Sequence, residues 1–322
     1  MGSESGSLFW PGDSRAGELF TDAAFRAAMV RVESAWAGVE LSVPTDDLDA
    51  EAGGNPVIPL LEALRAEHPD VTLHEGLTSQ DVLDSALMLL LRDAVVAVAA
   101  DVTRQQAALD ALLAAHGDTP MLGRTLTQAA LPITVGHKVG EWRAGVDDAA
   151  ADLAGLVFPV QVGGPVGVRR DGAALAERLG LADVPAWHTS RRAVTRAGDA
   201  LVAVTDACGR IARDVLALGR SEIGELSEAV GGGSSSMPHK ANPVLSVLIR
   251  RAALTTPMLA ATLHLAAADQ VDERADGAWH AEWDTLRLLA RRTAVAASQT
   301  AELLEGLRVH PARMAANLEA RA

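Results

Sequence analysis

The stretch QDVLDSALMLLLRDAVVAVAADVTRQQAALDALLAAH, residues 80–116, contains neither proline nor glycine. Within it Val82, Leu83, Ala86, Leu87, Leu90, Leu91, Ala94, Val95 and Val98 recur at intervals of three and four, the period of one helix face. At about 1.5 Å per residue the spacing predicts a helix about 55 Å long. Similar patterns predict helices at about 191–230, 243–270 and 279–307, broken at Asp276-Gly277 and at a glycine-rich segment. Helices of this length with wide apolar faces pack on more than one side, which implies a helix bundle whose partners include other copies of the chain.

Composition agrees. Ala, Leu and Val carry the 49% hydrophobic content, aromatic residues make up 3%, and there is no tyrosine, a balance that favours closely packed helices over sheets. An all-α fold is expected. Residues 1–75, with shorter helical pieces separated by Pro11-Gly12, Pro44 and the 53–59 stretch, read as a small N-terminal helical domain, and residues 76–322 as the long-helix bundle. The formal charge of −14 argues against a nucleic-acid partner. No leader pattern is read at the start and no apolar run of membrane-spanning length along the chain, so no membrane and a cytoplasmic location are expected. Cys208 is the single cysteine, sits in an apolar helical stretch and reads as a core residue.

Chemistry concentrates in one place. Residues 233–243 read Gly-Ser-Ser-Ser-Met-Pro-His-Lys-Ala-Asn-Pro, preceded by Gly231 and Gly232. Glycines let the backbone approach a ligand closely, and Pro238 and Pro243 stiffen the half of the segment that carries the lysine. Only two of the 28 basic residues are lysines, Lys138 and Lys240, so a compact ammonium inside this segment answers a specific need. Two other segments have unusual polarity: residues 74–81, His-Glu-Gly-Leu-Thr-Ser-Gln-Asp, and residues 123–128, Gly-Arg-Thr-Leu-Thr-Gln. The run Val162-Gly-Gly-Pro-Val-Gly167 lacks the strand context and lysine of a phosphate loop and reads as a tight connection. His239, His280 and Glu282 lack metal-ligand spacing, so no metal is expected.

Together the three polar segments resemble the signature regions of the fumarase/aspartase superfamily. The flanking text, Leu8-Phe-Trp-Pro-Gly-Asp13, Trp187-His-Thr189 and Gly277-Ala-Trp-His-Ala-Glu-Trp283, is most similar to its bacterial 3-carboxy-cis,cis-muconate cycloisomerases. The resemblance implies a homotetramer whose four bundles form a common core, with each active site built from three subunits. It implies no cofactor and a small polycarboxylate substrate. It also implies a small C-terminal helical domain, for which no sequence is present after the bundle. By the Gly-Ser-Ser-x-Met-Pro-x-Lys-x-Asn pattern Ser235 takes the catalytic position, assisted by Lys240. Asn242, Thr78 and Ser79 match substrate-binding positions, with Ser234 and Ser236 as neighbours and Gln128, His74 and Arg191 as further carry-overs. The bland readings are a helix cap for Thr78 and Ser79, a structural histidine for His74 and a surface position for Arg191.

Two departures narrow the chemistry. Superfamily lyases that expel an amine or hydroxyl usually carry histidine after Arg-Thr and a glutamate beyond the serine segment, where this chain has Leu126 and Val247. Such a pair protonates a poor leaving group. A carboxylate, with an ordinary pKa of about 4, needs no such acid whether it attacks or leaves. The expectation is therefore cycloisomerisation of 3-carboxy-cis,cis-muconate to 4-carboxymuconolactone, with Ser235 transferring the proton. The alternatives are elimination from a substituted succinate such as adenylosuccinate or argininosuccinate, and an inactive helical scaffold, to which Ala129 in place of an expected histidine points.

Overall fold

The computed structural model describes residues 7–233, 236–237 and 240–320. Ten helices dominate it. After a short turn of 3-10 helix at Asp13–Ala16 come α1 (Asp22–Ala37), α2 (Ala50–Gly53), α3 (Val57–Glu67) and α4 (Ser79–His116). Then come the hairpin strands β1 (Pro120–Thr125) and β2 (Gln128–Thr134), α5 (Val135–Ala154), α6 (Ala173–Leu179) and α7 (Arg192–Leu218). Strand β3 (Leu226–Ser227), α8 (Val244–Ala268), α9 (Ala278–Glu305), β4 (Arg308–Val309) and α10 (Pro311–Glu319) complete the chain. The all-α expectation holds for the body of the protein. The two small antiparallel pairs, β1 with β2 and β3 with β4, were not anticipated.

Helix α4 is the 38-residue axis of the bundle. It packs against α1, α5 and α9, while α7, α8 and α9 pack on one another. Its first three turns bury residues on every side, including the polar Gln80, Asp81, Asp84 and Ser85, so this end lies inside the protein rather than along its surface. One continuous apolar cluster runs from Phe20 to Met314 and includes Trp142, Leu201, Ile211 and Leu289. Cys208 is fully buried in it, as expected. The boundary expected near residue 75 falls in the turn leading into α4.

The helix expected over 191–230 ends at Leu218. Gly219 caps it, and Gly224 turns in the left-handed region at φ 63°, so residues 219–233 run as a connection that holds β3. Helix α8 corrects another reading: its length and mean hydropathy of 1.4 suit a membrane span by composition. Its inner face nevertheless packs into the bundle through Ile249, Ala252, Ala260 and Leu263, each nearly or fully buried. The opposite face carries Val247, Leu254, Met258 and Leu265, between 53% and 72% exposed, in a stripe that the described residues leave uncovered.

Candidate active site

The first polar region forms the entrance to α4. His74 and Gly76 both adopt left-handed backbone, φ 63° and 70°, and fold the chain into a tight turn. Thr78 is the N-cap residue, as its sequence position suggested, and its N–H donates to Asp81 Oδ2 at 2.9 Å. The Asp81 carboxylate also accepts the N–H groups of Gly163 (2.8 Å) and Gly164 (2.9 Å) and contacts His188 Nε2 at 2.9 Å. The 162–167 run is therefore the tight connection expected of it, its amides turned toward a protein carboxylate. Ser79 begins α4 and is half-buried. Arg274, from the loop between α8 and α9, donates to Thr78 Oγ1 at 2.5 Å and to Gln80 Oε1 at 3.3 Å. A guanidinium thus stands at the positive end of a long helix dipole, an arrangement suited to a carboxylate ligand. His74 Nδ1 lies 2.6 Å from Oε1 of the fully buried Glu33.

Behind this entrance lies a buried ionic network. Arg191 Nη1 and Nη2 donate to Asp84 at 2.7 and 2.9 Å, and Nε and Nη2 donate to Glu282 at 3.0 and 2.6 Å. Nη1 also donates to the His188 carbonyl at 3.4 Å. All five guanidinium hydrogens are engaged and the side chain is fully buried. This corrects both readings of Arg191: it is not a surface residue, and it has no donor left for a substrate. Burial alone would lower its pKa, but Asp84 and Glu282 outweigh that and hold it above the ordinary arginine value. Glu282, a single arginine between it and Asp84, is raised by burial beyond what Arg191 offsets. Trp279 Nε1 donates to Asp84 Oδ1 at 3.0 Å, and Trp187 stacks on the guanidinium 4.6 Å away. Trp187 and Trp279 of the flanking text are accordingly packing around this network, whereas Trp10 stacks under Arg251 and Arg292.

The second region is the tip of the β1–β2 hairpin. Leu126 and Thr127 form its two-residue turn with φ 47° and 67°, the left-handed pair that matches strand twist. Gln128 and Ala129 come next on the exposed strand, and Leu126 is 96% exposed. Arg124 anchors the hairpin by donating to both oxygens of the fully buried Glu225, at 2.8 and 3.0 Å.

The third region is pinched at its base. Gly232 and Asn242 exchange backbone hydrogen bonds of 2.7 and 2.8 Å, and Asn242 Nδ2 donates to the Gly233 carbonyl at 3.0 Å. A side chain on Gly231 would run into Ala241, and one on Gly232 into Val244, which explains the glycines at these two positions. Glu228 closes the pinch, its Oε1 accepting from Ser246 N–H (2.8 Å) and Ser246 Oγ (2.6 Å), and Oε2 from Leu245 N–H (3.2 Å). The N-terminus of α8 is thus capped by Glu228. Lys240 and Ser236 are exposed, and Lys240 makes no ion pair with a described residue. Ser234 and Ser235 lie outside the described residues.

Among the described residues the first region lies apart from the other two. Thr78, Ser79 and His74 stand at the N-terminus of α4, and the hairpin comes after its C-terminus, so the 38 residues between them span about 57 Å. Glu225 and Glu228, three residues apart, tie the second and third regions to one end of the bundle. Among the described residues no hydrogen bond or ion pair joins that end to the first region. The lyase family model matches residues 43–256, two thirds of the chain.

The chain belongs to the lyase family, within the fumarase/aspartase superfamily.

Curated relatives of this family member include nitrosuccinate lyase of Streptomyces davaonensis, 39% identical over 93% of this chain and 73% of that protein. 3-Carboxy-cis,cis-muconate cycloisomerase of Bradyrhizobium diazoefficiens is 38% identical over 91% of this chain and 70% of that one. The crystal structure of the 3-carboxy-cis,cis-muconate lactonizing enzyme of Pseudomonas putida superposes with a TM-score of 0.87 at 31% identity, covering 95% of this chain and 77% of that one. The chain is thus a lyase-type enzyme. Four residues of this family member escaped the sequence reading: Arg274, Glu33, Glu225 and Glu228. Each is a single charged residue outside a recognisable motif, and only the folded chain shows what it faces.

Proposed function

We propose that this lyase-family enzyme catalyses the cofactor-free cycloisomerisation of 3-carboxy-cis,cis-muconate to 4-carboxymuconolactone in a homotetramer. The observation that carries the reading is the chemistry at positions 126 and 247. Leu126 is 96% exposed at the hairpin tip and Val247 is 53% exposed on α8, so neither position can hand a proton to a poor leaving group. Lactonisation asks for none. One substrate carboxylate oxygen bonds to a carbon of the conjugated system, the π electrons move to the carbon beside a second carboxylate, and that carbanion takes a proton from Ser235. Lys240, Arg274 and the α4 N-terminus supply positive charge for the anionic substrate and the developing enolate. The separation of the three regions along α4 supports a site completed by other copies, and the uncovered stripe on α8 supplies a face for them.

A second reading has its own support in the nitrosuccinate lyase relative. Loss of nitrite from nitrosuccinate also expels a stable anion and would likewise dispense with a histidine at position 126. The experiment is incubation of purified protein with each compound. Loss of the muconate diene absorbance with lactone confirmed by NMR supports the first reading; fumarate and nitrite release from nitrosuccinate replaces it with the second. Ser235→Ala must abolish whichever activity is found, and light scattering must return a tetramer. A monodisperse monomer with full activity would overturn the shared site.

A further inference from the structure

His74 is held in an unusual way. It is a non-glycine residue at φ 63°, a strained conformation that persists only where the surroundings impose it. What imposes it is in part Glu33 of α1, whose side chain is completely buried and whose Oε1 lies 2.6 Å from His74 Nδ1. Oε2 of Glu33 is buried with no hydrogen-bond partner, so the contact to His74 is that carboxylate's only polar interaction among the described residues. A buried carboxylate with one partner is an expensive arrangement to keep for packing alone. The carboxylate accepts, so Nδ1 carries the hydrogen it donates, which fixes the orientation of the ring. The ring stays 13% exposed, and Nε2 has no partner among the described residues. Four residues further on, Thr78 receives Arg274.

We propose that Glu33 is a positioning residue for His74, holding the ring so that, with both ring nitrogens carrying hydrogen in the complex, Nε2–H donates to a carboxylate of the bound polycarboxylate beside the α4 N-terminus. The proposal rests on the polycarboxylate reading of the site, and it assigns Glu33, which the sequence reading left out. The arrangement has the logic of a buried acid orienting an imidazole from behind, with the working nitrogen in front. Glu75 is exposed beside this turn, with its carbonyl receiving Trp36 Nε1 at 3.1 Å, and Arg169 covers Gly76 while paired to Asp171. Among the described residues no hydrogen bond or ion pair joins either of these charged side chains to the His74 ring.

The test is binding, independent of turnover. Tricarballylate, an unreactive tricarboxylate, is titrated calorimetrically into the intact protein and into Glu33→Gln, His74→Gln and the double variant, each checked for unchanged assembly and melting. Each single substitution is expected to weaken binding about tenfold, and the double variant to be no weaker than either single one, because both remove the same interaction. An unchanged Kd in Glu33→Gln, effects that multiply to about a hundredfold in the double variant, or no binding to the wild-type protein overturns the proposal. Coupled binding losses in a protein that turns over neither muconate nor nitrosuccinate would leave Glu33 in its role and remove the reaction assignment instead.

Discussion

Arg191 meets Glu282 through two donors, Nε at 3.0 Å and Nη2 at 2.6 Å, in a place where neither side chain reaches solvent. The pair joins the start of α7 to the second turn of α9, and Asp84 extends it to α4. Buried pairs of this kind add little over an apolar core, but removing one partner strands the others. Arg191→Gln is therefore expected to destabilise the protein by about 3–5 kcal/mol, with two carboxylates left uncompensated. Arg191→Lys should recover only part of that, because an ammonium cannot present the same fork of donors. Urea unfolding of both variants measures it. A loss under about 1 kcal/mol for the glutamine variant would mean the network contributes nothing beyond surface ion pairs.

Cys208 gives a prediction about pH. Complete burial pushes its thiol pKa up to about 11, with contacts to Thr300 and Gln105 offsetting little of this. The unfolded thiol has the lower pKa, so the folded state gains relative stability while the thiol stays protonated. That contribution is whole below about pH 9 and is lost as pH rises from 9 through 11. The native protein should resist thiol reagents at about pH 8 and react fully once unfolded. Cys208→Ala should flatten the decline in stability between pH 9 and 11, which a series of urea midpoints would show. Rapid labelling of native protein at that lower pH would contradict the burial.

How much of this was legible beforehand depended on the range of the signal. The period of residues 80–116 is local, and it located α4 to within one residue because a helix of that length overrides its context. Thr78 as the cap was readable for the same reason. The end of α7 was missed because apolar spacing continues past Leu218, whereas what stops the helix is Gly219 and the return of the chain toward β3. Arg191 was misread because its two partners lie 107 and 91 residues away. A motif match places a residue in the chain, and only packing shows whether its donors are already spent.

Glu228 connects helix capping to the serine segment. Its two oxygens hold Leu245 and Ser246 at the first turn of α8, while Gly232 and Asn242 close the same base a few residues away. Replacing it with Ala leaves those amides without an acceptor, at a cost of about 1–2 kcal/mol. The effect should be local: hydrogen exchange in residues 229–246 accelerates while α4 and α7 keep their protection. Turnover should fall by more than the change in melting temperature would explain, since the segment bearing Ser235 is attached to this base. Unchanged exchange in residues 229–246 would show that the Gly232 and Asn242 pair suffices on its own.

Arg274 is the sharpest test of where the substrate's charge is met. It reaches Thr78 Oγ1 at 2.5 Å, at the end of a helix whose dipole already favours an anion, and forms no ion pair with a described carboxylate. Hydrogen bonds to charged groups are worth about 1.5–3 kcal/mol, so Arg274→Gln should raise KM roughly 10- to 100-fold. Melting should barely move, because the residue is half-buried and its loop carries little of the core. Thr78→Val should raise KM less, since it removes a neutral partner and leaves the guanidinium in place. A fall confined to kcat in Arg274→Gln would instead mean that the charge acts on the carbanion rather than on a bound carboxylate. Equal kinetics in wild type and variant would place the anion elsewhere on the bundle.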